Sequence, residues 1–218
     1  MSQPKNAGGR IAARIAARTA HDLNNLAAVF SGHLYLLRNA AEPPEEAYDA
    51  MEKALAHLDR LTRGLMAVGV LGVEQLASLD VNEIVRTTVE PIRAKAQVEL
   101  DLEPALPAVA GRQGDLARAI EALLSNAREA NGPGQPIRVS TRRDADGAVR
   151  IAVEDSGSGI PPEVRRRGFD PLFSTKGEKG RGIGVTLASV VAALQGGSLA
   201  LEDRSDGGTR ATLRLPIS

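Results

Sequence analysis

A few short stretches of this chain hold residue types that can do chemistry at spacings that invite it. From residue 19 to 39 the sequence reads TAHDLNNLAAVFSGHLYLLRN, apolar at helical spacing, yet His21, Asp22, Asn24 and Asn25 crowd into one turn. Asn126 lies in EALLSNAREAN, among Ile120, Leu123, Leu124, Ala127 and Ala130. An amide oxygen in such a helix can ligate a hard cation such as Mg²⁺ beside phosphates. VEDSGSGI, running through Asp155 to Ile160, reads as the end of a strand. A carboxylate there can accept a hydrogen bond from an exocyclic amine such as adenine's, and would repel the carbonyl that guanine presents. Gly157 and Gly159 let the backbone approach a flat ring or adopt positive φ. GFDPLFSTK carries Phe169 and Phe173, two of the three phenylalanines, with Lys176 free to reach a phosphate. In GRGIG, Gly180, Gly182 and Gly184 precede a helical pattern, whose free N–H groups suit an anion. The GxGxxG dinucleotide fingerprint does not fit, because the spacing is GxGxG and no parallel βαβ unit surrounds it. Singly, each stretch has an ordinary alternative: a satisfied buried Asn, an Asp-Ser-Gly turn, a loop with apolar plugs.

These groups must be held by two regions of different periodicity. Residues 1–9 are small and polar and read as a disordered arm. Residues 10–72 read as a helical hairpin broken at AEPPEEA, where two prolines cannot continue a helix and Glu45 and Glu46 suit the first turn of the next. Ile11, Ile15, Leu23, Phe30 and Leu37 form one apolar stripe; Met51, Leu55, Leu58, Thr62 and Leu65 form the second. Two amphipathic helices cannot cover both stripes alone, so a second copy is expected to complete a dimeric four-helix bundle. The alternative partner is the second half of the same chain. From 77 to 218, SLDV, VELDLE and AVAG read as strands, with Asn82 capping a helix. Residues 113–131 and 186–195 read as helices. IRVSTRRDADGAVRIAVED and GGSLALEDRSDGGTRATLRLP read as hairpins. The expected fold class is α+β: the helical hairpin, then an α/β sandwich with one mixed sheet and helices on a single face.

The bulk numbers exclude several classes. Lys+Arg and Asp+Glu balance at 27 each over 218 residues, so no net field draws the chain to nucleic acid or to a membrane. Aromatics are 2%, too few for base-stacking platforms. The absence of Cys rules out disulfides and thiolate metal sites and fits a reducing compartment. There is no apolar run long enough to span a bilayer and no signal-peptide core, so the expected location is cytoplasmic.

Taken together and in order, the motifs resemble the catalytic domain of sensor histidine kinases, the ATPase superfamily shared with gyrase B. Asn126 matches the N box, Asp155 to Gly159 the first glycine box, residues 169–176 the F box, and Gly180 to Gly184 the second glycine box. The F-box wording is closest to the nitrogen-regulator branch. GGTRATLRLP looks like the family's last strand, which implies that Thr212 lies near the adenine. The resemblance runs from about residue 12 to the end. It also accounts for the polar turn of the first helix: HDLNN looks like the phosphoacceptor box of the dimerisation and histidine-phosphotransfer hairpin.

The function so implied is a soluble histidine kinase of two-component signalling. ATP with Mg²⁺ would phosphorylate His21, and the phosphoryl group would pass to an Asp on a response-regulator receiver. A neutral imidazole nitrogen must meet the γ-phosphorus. Asp22 can take the proton or orient the ring, and Asn25, one turn on, can position a water for a phosphatase reaction. Nucleotide contacts are implied for Asn126, Asp155, Gly157, Gly159, Ile160, Phe173, Lys176, Gly180, Gly182, Gly184 and Thr212, with Asn126 on the metal. The competing expectation is a histidine phosphotransfer or scaffold protein with a degenerate ATP domain. It draws on Ala122, where many relatives carry Asn or an acid, and on the short segment between the F box and second glycine box. Glu121 is one position off, about 100° around the helix. No sensor domain is read before the hairpin, so input is expected from a separate sensory partner or the N-terminal arm.

Overall fold

The structure, a computed structural model, describes residues 7–39, 44–160 and 184–217. Helix α1 (Ala7–Asn39) and helix α2 (Glu45–Gly69) form the hairpin. α1 begins at Ala7, inside the stretch expected to be a disordered arm. Then follow β1 (Ala77–Leu79), α3 (Val81–Arg93), β2 (Val98–Leu102), β3 (Val109–Gly111) and α4 (Gln113–Ala130). The chain closes with β4 (Ile137–Arg143), β5 (Val149–Glu154), α5 (Gly184–Leu194), β6 (Ser198–Asp203) and β7 (Thr209–Leu215).

The main sheet has the order β2-β4-β5-β7-β6, with β2 parallel to β4 and the remaining neighbours antiparallel. Strand alternation decides its two faces. Val139, Ile151, Val153, Ala211, Leu213 and Leu215 point toward the helices and join Val85, Val89, Leu116, Ile120, Leu124 and Val191 in one core. The opposite face is polar and laced with ion pairs, among them Arg138–Glu99 at 3.4 Å, Arg214–Asp144 at 3.1 Å and Arg142 with Asp101. Exposed pairs of this kind contribute little stability each, but they leave that face wet. The small sheet pairs β1 with β3 antiparallel.

One local expectation is corrected. The cap of α3 is Asp80, whose side chain accepts the Glu83 N–H at 3.1 Å. Asn82 lies inside the helix, buried, accepting from Thr141 at 2.7 Å and donating to the Glu103 carbonyl at 2.8 Å. The capping residue precedes the helix by one position, and SLDV gives it to Asp80 because the strand ends at Leu79.

Within the hairpin, part of each expected stripe is packed and part is exposed. Ala47, Ala54 and Leu61 of α2 and Ile15, Thr19, Asp22 and Leu26 of α1 are buried. Leu26, Ala54 and Leu61 form one cluster, flanked by Val29, Phe30 and Leu58. Leu23, Leu34, Leu55 and Leu65 remain exposed. Small residues on α2 let the two helices approach, with Ile15, Phe30 and Leu58 of the expected stripes packed and Leu23, Leu55 and Leu65 left outside.

The connection from α2 is clasped to the start of α4. The Gly72 N–H donates to Asp115 at 2.9 Å, the Gly114 N–H to the Glu74 carboxylate at 2.9 Å, and Arg112 to the Glu74 carbonyl at 2.7 Å. The α4 cap position, Arg112, makes no side-chain capping bond, so Glu74 supplies an acceptor from the linker instead.

Candidate functional site

The first cluster is one turn of α1. His21 is exposed, and the Asn25 amide lies 3.1 Å from its Nε2. An amide N–H donating to Nε2 is compatible with the tautomer that carries its hydrogen on Nδ1. Asp22 points the other way. It is 5% exposed and accepts from Arg18 Nε at 3.0 Å. Consecutive side chains on a helix diverge by about 100°, so the residue next to His21 in sequence faces a different surface. The structure therefore brings Asn25 to the imidazole and leaves Asp22 on the buried side of α1, with Ile15, Thr19 and Leu26.

The second cluster lies at one end of the main sheet. Asp155 follows β5 and is 6% exposed. Its Oδ1 accepts from the Gly157 N–H at 2.9 Å and the Thr209 N–H at 3.1 Å. Its own N–H donates to the Thr209 carbonyl at 2.9 Å, and its carbonyl accepts from Arg204 at 2.7 Å. The carboxylate is thus held through one oxygen, while Oδ2 makes no hydrogen bond to a described residue. Gly157 packs so closely on the end of α4 that a Cβ would stand 2.5 Å from the Ala130 carbonyl oxygen. Gly159 has φ +77° and Ile160 donates its N–H to Asp203 at 2.9 Å, which fixes the loop's far end.

Asn126 and the second glycine motif meet across the α4–α5 contact. A Cβ on Gly184 would stand 2.8 Å from Asn126 Nδ2 and 3.0 Å from the Ala122 carbonyl oxygen. A side chain at 184 would displace the Asn126 carboxamide, so glycine is what brings the α5 N-terminus onto it. That carboxamide makes no hydrogen bond to a described residue, so its oxygen is available to a cation. Among the described residues no group of three or more acidic, His or Cys side chains could hold a metal. One amide ligand fits an ion such as Mg²⁺ that takes the rest of its shell from phosphates and water.

One expected residue is displaced. Thr212 pairs with Ala152 and Ala200 and shares the parity of Arg210 and Arg214, on the sheet face away from the helices. Thr209 has the parity of Ala211 and Leu213 and is the threonine bonded to Asp155. The alternation of β7, counted from its buried leucines, was the signal that finds it. Asn131 was also missed; it accepts the Ser156 N–H at 2.7 Å.

Comparison with known proteins decides what this pair of clusters belongs to. Residues 111–218 match the family described as histidine kinase-, DNA gyrase B- and HSP90-like ATPase. The sensor histidine kinase GtrS of Pseudomonas aeruginosa is 35% identical over 145 residues, covering 66% of this chain and 29% of GtrS. The alginate biosynthesis sensor protein KinB of Pseudomonas aeruginosa is 27% identical over 224 residues, covering 95% of this chain and 37% of KinB. The solved mycobacterial sensor histidine kinase MprB superposes with a TM-score of 0.56 at 26% identity, covering 66% of this chain and 97% of that structure. The chain is a histidine kinase core. It spans about a third of the length of these two curated relatives.

Asp155, Asn126 and Gly184 lie within the stretch that matches the gyrase-like ATPase family, and His21 lies on the first helix of the hairpin. Glu121 is exposed, and Ala122, one residue on, lies by Gly184. Phe169, Phe173, Lys176, Gly180 and Gly182 lie outside the described residues.

Proposed function

We propose that this chain is the catalytic core of an ATP:protein-histidine kinase: it binds ATP at the Asp155–Asn126 pole and phosphorylates His21. The observation that carries the reading is the Gly184–Asn126 contact. It sets the N-terminus of α5 against a carboxamide suited to a cation, in the domain whose Asp155 presents an acceptor for the adenine amine. Asp155, Gly157, Gly159 and Ile160 form the base end of the site; Asn126 would hold Mg²⁺, with Phe173, Lys176, Gly180, Gly182 and Gly184 around the phosphates. Mg²⁺ supplies charge neutralisation at the transferring phosphoryl group. For His21, Nε2 would be the nucleophile once the Asn25 amide gives up its lone pair, the γ-phosphoryl bond to ADP breaking as the N–P bond forms. Asp22 must turn from Arg18 to accept the Nδ1 proton.

The exposed Leu23, Leu34, Leu55 and Leu65 on both hairpin helices support a homodimeric bundle, since apolar side chains left uncovered on both helices can be buried by a second copy. The phosphoryl acceptor is an Asp of a response-regulator receiver, and Asn25 orients a water when the reaction runs as a phosphatase. An ATP-consuming core of this kind works in the cytoplasm, and among the described residues no helix is long and apolar enough to cross a membrane. Input would come from a separate sensory partner or from segments beyond this core.

Calorimetry with ATP, with and without Mg²⁺, tests the nucleotide half. Micromolar binding that strengthens with Mg²⁺ is expected. No binding under either condition, with His21 still loaded by a phosphorylated receiver, leaves a phosphotransfer protein with a degenerate ATP domain.

A further inference from the structure

We propose that Asn131 is the positioning residue that sets adenine selectivity, by holding the loop that orients Asp155; this rests on the reading of Asp155 as the adenine acceptor. Asn131 stands at the C-terminal cap of α4, its N–H donating to the Ala127 carbonyl at 2.9 Å. Its side chain is used fully. Oδ1 accepts the Ser156 N–H at 2.7 Å, and Nδ2 donates to the carbonyls of Gln135 at 3.1 Å and Pro136 at 3.2 Å. One amide therefore ties together three segments: the end of the Asn126 helix, the approach to β4 and the loop that leaves Asp155.

The consequence falls on the Asp155 carboxylate. Its Oδ1 is fixed by Thr209 N–H on the β7 side and by Gly157 N–H on the loop side. The Thr209 donor belongs to a strand and cannot move alone. The Gly157 donor is one residue beyond Ser156, so it stays in place only while Ser156 is held. With both donors on Oδ1, Oδ2 alone is turned toward a base, as a pure acceptor. Such an acceptor binds an exocyclic amine and rejects a carbonyl at the same place. Without the Asn131 tie, the loop side of that clamp is released. The carboxylate can then rotate or admit water, and an amine no longer differs so sharply from a carbonyl. The residue type follows from the same bonds: one acceptor and two donors are needed in a short side chain, which only Asn offers.

ATP and inosine triphosphate separate this role from general damage, because they differ at the base where amine is replaced by carbonyl. Binding of both to the full chain is measured by calorimetry for wild type, Asn131→Ala and Asn131→Asp. Wild type is expected to prefer ATP by tenfold or more. Asn131→Ala should bring the two affinities to within about threefold of each other. Asn131→Asp keeps the acceptor for Ser156 but turns an oxygen toward two carbonyls, so it should melt lower yet retain most of the preference. A wild-type preference preserved in Asn131→Ala, or an equal loss for both nucleotides, overturns the proposal. Binding of ATP without discrimination by the wild type overturns the adenine reading itself, and this inference with it. If Asn131→Ala does not fold, amide exchange in the wild type decides: the Ser156 N–H should be protected, and exchange at an unprotected rate refutes the tie.

Discussion

In the proposed site a single carboxylate, Asp155, would read the base: two backbone donors hold one oxygen, and the other is left for the ligand. Asp155→Asn keeps the size and removes the charge. ATP affinity is expected to fall by tenfold or more, from the loss of a charge-assisted hydrogen bond and the presence of an amide donor near a donor. Calorimetry checks it, and unchanged affinity removes Asp155 from the site. Gly184→Ala makes the second case. The new Cβ has no room beside Asn126, so Mg²⁺-dependent ATP binding should weaken while the melting temperature changes little. Titration with and without Mg²⁺ reads this directly. His21, Asn126 and Asp155 were singled out in the sequence as candidates because each is a polar residue breaking an apolar pattern. Thr209 and Asp80 were not, because each is told from a near neighbour only by where a strand begins or ends. A shift of three residues on β7 moves a threonine to the other side of the sheet.

Among the elements, α4 does the most to organise the domain. Its first turn holds the linker through Asp115 and Glu74, its middle presents Asn126, and its end carries the Ala130 and Asn131 contacts to the Asp155 loop. Asp115 is 2% exposed and accepts the Gly72 N–H. Asp115→Ala leaves that donor without its partner and should cost about 1–3 kcal/mol, measurable by urea unfolding of the chain. An unchanged midpoint would mean the linker is not clasped in solution. The helices and strands were legible as periods of 3.6 and 2 in the sequence. The linker clasp was not, because it joins residues about forty positions apart through single hydrogen bonds that leave no periodic trace. The small residues inside the hairpin went unnoticed for a related reason: Ala47 and Ala54 are buried because they are small enough for close helix approach, whereas pattern reading weights the large Leu55 and Leu65.

For the whole molecule, the exposed leucines of the hairpin argue for assembly. Replacing Leu23 and Leu55 together by Glu should convert a dimer to a monomer in sedimentation without unfolding the ATPase domain, since neither side chain belongs to its core. A native chain that sediments as a monomer at micromolar concentration would contradict the bundle. The central claim is that His21 receives the γ-phosphoryl group of ATP bound at the Asp155–Asn126 pole. The most direct measurement is transfer of label from γ-labelled ATP with Mg²⁺ onto the purified chain, followed by acid and base treatment. The account predicts an acid-labile, base-stable label, abolished by His21→Gln with ATP binding intact and by Asn126→Asp. A wild-type chain that binds ATP and Mg²⁺ yet acquires no label, or one whose label survives in His21→Gln, would contradict it.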